Sequence, residues 1–365
     1  MFENKFLKGL TPYKLSSHRA WELSIDTEVL KLDWNEATIP PSPLVFERIL
    51  DAIKKQRLNW YPDVNNVTLI HKLAHYAKVE NEEVLYFASS DAIHEYLISA
   101  YLEPSDKVVI VGPTYDNFRA AAESGGGDVS FFNLNESFTI DFKLFKEFIT
   151  RNNPKIVYIV NPNNPTGTFT AIEKLKGLIT DYPNILFIID EAYCEFNGES
   201  IADFAVNCLN VIVTRTFSKA FALASFRIGY VISDKLNIKV LSKIRNAKNI
   251  PLLSQVAAIA ALDSQDYTNK YIAEVSKARE YLYKELSVFD NYIKLYESHA
   301  NFIFIKFFSK EQKYEFIRFL ENYSIFVRDY NHLNSMQNYI RITIGTIEQM
   351  KYVNEIIHKF FNIIE

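Results

Sequence analysis

Cysteine is scarce in this chain. Only Cys194 and Cys208 occur in 365 residues, in neither a disulfide-framework nor a metal-ligand spacing. A reducing compartment is therefore expected, and with it a cytoplasmic location. No apolar run approaches the ~20 residues that span a bilayer, so no membrane partner is expected. The opening "MFENKFLKGL" carries no apolar leader core, so secretion is not expected either. Basic runs are also missing, and the formal net charge is −4. Nucleic acid is thus not expected as a partner. The seven histidines lack spacings such as H-E-x-x-H, and no G-x-S-x-G occurs, so neither a metal site nor a serine hydrolase is expected. No internal repeat and no low-complexity linker interrupt the chain.

Apolar residues are plentiful. They make up 48% of the composition, enough for a large core, and the length suits roughly two domains of ~150 residues. Short runs rich in Val and Ile recur at 107–113, 155–162, 184–193, 210–218 and 227–233. They lack clean alternation, as strands covered on both faces do. Helical patterns separate them at 91–103, 115–124, 141–152 and 171–181. Strands alternating with helices predict an α/β layered fold with a mostly parallel central sheet and helices on both faces. The last third reads differently. A long helical stretch covers 235–288, followed by strand-like 301–307, 325–330 and 338–345 and helices near 311–322 and 347–362. The expected organisation is a large α/β domain over 44–245 and a smaller α+β domain over 246–365. The segment 1–43, with prolines at 40, 41 and 43, is expected to pack on the small domain.

In open α/β sheets, ligands sit outside the carboxyl ends of the strands. Three such ends carry unusual polar residues: "NPNNPTG" (161–167), Asp190 after "ILFII", and "TFSK" (216–219). An Asp at a strand end often caps a following helix, and a lone lysine in a loop is usually solvated. Together they read differently. A lysine beside an apolar site loses its proton more readily and can form a Schiff base with an aldehyde. A carboxylate opposite it would hold a protonated heterocyclic nitrogen. These are two fixtures of a pyridoxal phosphate enzyme. "SSDAIHEYL" (89–97) reads as a helix start, whose free N–H groups suit a phosphate. Thr216, Ser218 and Arg227 add donors, and Tyr115 of "GPTYDNF" offers a flat ring for stacking.

The motifs "GLTPY", "WNEA", "YPD", "SSDAI", "PTYDNF", "NPNNPTG", "DEAY", "TRTFSKAFALASFRIGY", "VRDY" and "YIRITIGT" occur in this order over nearly the whole chain. In them the chain resembles the fold-type-I pyridoxal phosphate enzymes like aspartate aminotransferase, and within these the histidinol-phosphate aminotransferase branch. The resemblance implies pyridoxal 5'-phosphate as cofactor, bound to Lys219, with Asp190 on the pyridine nitrogen. Tyr193 and Asn164 would meet the ring's phenolic oxygen, and Tyr115 would stack on the ring. The backbone at Ser90 and Asp91, with Thr216, Ser218 and Arg227, would hold the cofactor phosphate. Tyr61 would reach the phosphate of a second copy in a homodimer with shared active sites. Tyr13, Asn35, Arg328 and Arg341 would line the substrate, and paired guanidiniums suit a substrate phosphate.

The implied activity is amino transfer between L-glutamate and a small phosphorylated compound. Histidinol phosphate, or a shorter ketone such as dihydroxyacetone phosphate, fits that description. Decarboxylation of a phosphorylated amino acid is the alternative within the fold, and a non-catalytic regulator with the same body is a third reading. Three departures from the family's pattern stand out. Its usual "NENP" is "NEAT" here, its glycine-rich turn is Ala88-Ser89, and Ser225 stands where glycine is common.

Overall fold

The computed structural model describes residues 2–12, 19–23, 28–55 and 58–364. Among these, the strands in chain order are β1 (Leu30–Leu32), β2 (Val84–Phe87), β3 (Lys107–Gly112), β4 (Asp128–Asn133), β5 (Ile156–Val160), β6 (Leu186–Asp190), β7 (Val211–Thr216), β8 (Gly229–Ile232), β9 (Ile293–Tyr296), β10 (Phe302–Phe307), β11 (Ile325–Asp329) and β12 (Tyr339–Thr343). Seven form one sheet in the order β2-β8-β7-β6-β5-β3-β4. All of its pairings are parallel except the two made by β8, which runs against both neighbours. The predicted mostly parallel sheet is therefore present. The short β2 and the edge strand β4 went unread in the sequence.

The reason these strands lack alternation is visible in their packing. Val109, Val157, Ile159, Phe187 and Ile189 join one buried cluster, while Val108, Ile110, Ile156, Tyr158 and Ile188 join another. Successive side chains point to opposite faces, and both faces are covered. Helices fill the crossovers. Asp141 caps helix Phe142–Asn152 through the N–H groups of Lys143 (3.0 Å) and Leu144 (3.1 Å), as side-chain acceptors do at a helix start.

The second sheet has the order β1-β11-β12-β10-β9. β1 joins it in parallel with β11, Leu30 opposite Ile325. Its two faces differ. One carries Ile303, Ile305, Ile325, Ile340 and Ile342, all within the main core. The other carries Tyr296, Phe304, Arg328, Tyr330 and Arg341.

The stretch 235–288 is not one helix. It divides into Lys235–Ile244, Leu252–Asp263 and Gln265–Leu286. Pro251 stands just before the second, where its missing N–H and fixed φ are tolerated only at a helix start. No helix among the described residues is long and apolar enough to cross a membrane.

Candidate active site

β5, β6 and β7 are neighbours and parallel, so their carboxyl ends meet. The loop after β5 carries three asparagines, two of which hold the loop itself. Asn161 exchanges hydrogen bonds with Thr170, receiving from its N–H (2.7 Å) and donating to its carbonyl (2.9 Å). Asn163 donates to the Pro113 carbonyl (3.0 Å) and to Thr166 (2.8 Å), and accepts from Thr114 (2.7 Å). Asn164 alone reaches across the cleft. Its amide donates to Tyr193 Oη (3.1 Å) and its carbonyl accepts from Arg341 (2.5 Å).

Asp190 ends β6 and is buried. A buried carboxylate is costly unless donors surround it, and here they do. Tyr158 Oη donates to Oδ2 (2.8 Å) and the Ala192 N–H donates to Oδ1 (3.0 Å). The imidazole of His94 stands 3.3 Å from Oδ2. Burial, with Asp190 beside it, pushes the Tyr158 phenol well above its usual range. It stays a donor.

Tyr193 follows β6 and is buried. Its oxygen accepts from Asn35 (3.0 Å) as well as Asn164. Burial raises this phenol too, against the pull of Arg341. Asn35 is fully buried with a left-handed φ of 58°, a conformation asparagine tolerates better than most residues. Its backbone N–H donates to Thr343 Oγ1 (3.1 Å), and its carbonyl accepts from Asn301 (3.1 Å). The segment 33–36 is thus pinned between both sheets.

Lys219 lies in the loop after β7. Its ammonium donates to the Trp34 carbonyl (2.8 Å) and sits 5.9 Å from the centre of the Tyr193 ring. Burial, seconded by the Arg341 charge, lowers its pKa from 10.5 to about 8. About a tenth of the population is then a free amine at pH 7, far more than for an ordinary lysine, and this is the form that attacks carbonyls.

The helix Ser90–Tyr101 starts against β8. Ser89 caps it at φ 97°, accepting from the Ala92 N–H (3.3 Å). That φ favours glycine, and a buried serine holds it here. The opposing residue is Gly229, where a Cβ would stand 2.9 Å from the Ser90 nitrogen and 2.8 Å from the Arg215 carbonyl. Only glycine lets β8 approach this closely. The N–H groups of Ser90 and Asp91 precede the first intrahelical bond, from Ile93 N–H to the Ser89 carbonyl, so they point out of the helix end. Beside them, Thr216 Oγ1 donates to Ser218 Oγ (3.0 Å) and accepts from its N–H (3.1 Å).

Tyr115 and Arg227 converge on the same carboxylate. Tyr115 Oη donates to Asp91 Oδ1 (2.8 Å) and Arg227 to Oδ2 (3.0 Å). Asp91 therefore anchors the neighbours with its side chain, a role the sequence did not suggest. On the small sheet, Arg328 and Arg341 are register partners across β11 and β12. Both are buried. Arg341 donates to the Asp33 carbonyl (2.6 Å) and leaves its Nε without a partner. Tyr61 is exposed, with the Lys248 ammonium 4.8 Å from its ring centre. Tyr13 lies outside the described residues.

Sequence reasoning missed His94, Tyr158 and the Trp34 carbonyl. The first two sit at apolar positions of a helix and a strand, and a backbone carbonyl leaves no mark in composition.

A lysine held as a partly free amine, a donor-clamped aspartate and an exposed helix start define the site of a pyridoxal phosphate-dependent transferase. The fit to that cofactor rests on two observations: the buried Asp190 carboxylate and the close approach of β8 to the helix start at Gly229. The chain belongs to the class I and II aminotransferases, whose family profile matches residues 27–357. It is 47% identical to the dihydroxyacetone phosphate transaminase of Campylobacter jejuni, covering 99% of this chain and 97% of that one. It is 32% identical to the histidinol-phosphate aminotransferase of Clostridium kluyveri, over 90% and 92% of the two chains. The fold matches that of histidinol-phosphate aminotransferase from Sinorhizobium meliloti in complex with pyridoxal-5'-phosphate. There the TM-score is 0.89 at 22% identity, over 100% of this chain and 98% of that one.

Proposed function

We propose that this aminotransferase moves an amino group from L-glutamate to a small phosphorylated ketone, with dihydroxyacetone phosphate as the first acceptor to test. The pairing of Arg328 with Arg341 carries the reading. They are register partners on one face of the small sheet. Arg341 Nε has no partner, so a dianion there would gain a charge-assisted bond. The relative's name, dihydroxyacetone phosphate transaminase, supports a short acceptor. Histidinol phosphate remains the comparison substrate.

Bound pyridoxal 5'-phosphate supplies an aldehyde for the amine and an electron sink for the substrate carbanion. The chain's own residues do the rest. The Lys219 amine would hold and return a proton at Nζ as general base and acid. Asp190 would hold the ring nitrogen. Tyr193 and Asn164 would meet the phenolic oxygen, and Tyr115 would stack on the ring. The helix start at Ser90 and Asp91, with Thr216, Ser218 and Arg227, would hold the cofactor phosphate. Arg341 takes the glutamate carboxylate, and Arg328 joins it for the substrate phosphate, with Asn35 and Tyr13 lining the pocket.

The same reading makes the enzyme a cytoplasmic homodimer. Phe46, Leu50, Ile53, Trp60, Tyr61 and Val67 are all exposed, a large apolar surface for a single chain. Tyr61 would reach the phosphate in the partner's site. We divide the chain into the segment 1–43, a cofactor domain to 245 and a small domain from 246.

The test is a half-reaction followed by turnover. The loaded enzyme is mixed with L-glutamate and 2-oxoglutarate is measured, then dihydroxyacetone phosphate is added. Oxoglutarate in the first step and serinol phosphate in the second support the reading. Carbon dioxide from phosphoserine or phosphothreonine, with no oxoglutarate, would instead support a decarboxylase.

A further inference from the structure

His94 is fully buried in helix Ser90–Tyr101, in line with the core residues Ile93, Leu97 and Ile98. Neither ring nitrogen makes a hydrogen bond. Its neighbours are aromatic. Phe118 meets it edge-on at 5.4 Å and Tyr158 at 5.5 Å, and Phe118 and Tyr158 stack on each other at 4.1 Å. The Tyr115 ring lies at 6.5 Å. An apolar side chain would fill this position without cost, whereas an imidazole leaves two polar atoms in a dry interior. One charged group is within reach: Asp190 Oδ2, 3.3 Å from Nε2.

The Asp190 carboxylate has about four lone-pair directions. Ala192 takes one on Oδ1 and Tyr158 one on Oδ2. One direction stays open on each oxygen, and the imidazole Nε2 lies 3.3 Å from Oδ2 without hydrogen-bond geometry.

We propose that His94 is a positioning residue for Asp190: a small rotation of the imidazole brings its Nε2–H, now 3.3 Å away, onto Oδ2, and the carboxylate then turns its free Oδ1 lone pair to the cofactor's ring nitrogen. The inference rests on the reading of Asp190 as that nitrogen's partner. The tautomer follows. Nε2 carries the proton, and Nδ1 is bare among the aromatic rings.

The test uses apoenzyme and pyridoxamine phosphate, which binds without a covalent bond to Lys219. Titration of His94→Phe, His94→Gln and Asp190→Asn by calorimetry gives three affinities, with circular dichroism and melting as the fold control. His94→Phe is expected to bind about tenfold more weakly, as for loss of one donor to a charged group. His94→Gln, which keeps a donor, is expected to recover most of that. Wild-type affinity in His94→Phe, or equal weakness in a folded His94→Gln, overturns the proposal. Wild-type affinity in Asp190→Asn would instead overturn the underlying reading. Should His94→Phe fail to fold, nitrogen-15 spectra of the wild-type imidazole decide. A protonated Nε2 with bare Nδ1 supports donation, and the opposite tautomer refutes it.

Discussion

The two ends of the cleft are built on opposite terms. At the ends of β6 and β7, polar atoms are already paired: Asp190 with Tyr158 and Ala192, Tyr193 with Asn35 and Asn164, Thr216 with Ser218. On the small sheet, Arg328 and Arg341 are register partners across a β-pair, and Arg341 Nε stays without a partner. The first surface resembles a finished mould and holds its geometry without a ligand. The second keeps one buried donor open, which an anion would satisfy. We read the first as the cofactor's surface and the second as the substrate's.

Substitutions test this contrast in order of severity. Lys219→Ala removes the amine from the mould. Turnover should fall by at least about 10⁴-fold, the upper range for a general acid–base group, in steady-state assays with any donor. Substantial residual activity would mean that another residue carries the proton. Next comes Arg328→Ala on the opposing wall. Losing one partner to a bound dianion costs roughly 10²-fold, as for truncation of a buried charge pair. That loss should appear in kcat/KM for the phosphorylated acceptor and leave the glutamate half-reaction nearly unchanged. Equal losses in both would place Arg328 in the scaffold. Tyr193→Phe should be milder, about fivefold to tenfold in kcat, because it deletes one hydroxyl from a pre-paired set. A drop as large as that of Lys219→Ala would show that the mould is less complete than its hydrogen bonds imply.

The sequence disclosed the two surfaces unequally. Asp190 and Lys219 were readable because they stand at or just past the end of an apolar strand, a position that topology makes a ligand site, whereas Asn164 was singled out only by the family resemblance. Arg328 and Arg341 were readable as cations in strand-like segments. Their direct opposition was not, since register depends on how β11 and β12 pair. His94 was invisible for the reverse reason. It occupies a helix position whose spacing from Leu97 and Ile98 reads as core. The left-handed Ser89 was seen only as a missing glycine, and the structure adds that Gly229 provides the room opposite it. The break at Pro251 was overlooked because the apolar period continues on both sides of it.

The subtlest prediction joins the two surfaces. Lys219 belongs to the mould, yet after burial the largest influence lowering its pKa to about 8 is Arg341 on the far wall. A folded value below the unfolded one means that the unfolded chain binds more protons between pH 8 and 10.5. The apoenzyme should therefore gain stability from this group as pH rises through that window. The rate at which Lys219 captures pyridoxal phosphate should rise with a midpoint near pH 8. Arg341→Leu removes the cation and leaves burial in place, so the midpoint should move upward by a fraction of a pH unit. Stopped-flow absorbance across pH 7 to 10 reads both profiles. An unchanged midpoint in Arg341→Leu would show that burial alone sets the lysine, and that the two surfaces act independently until substrate bridges them.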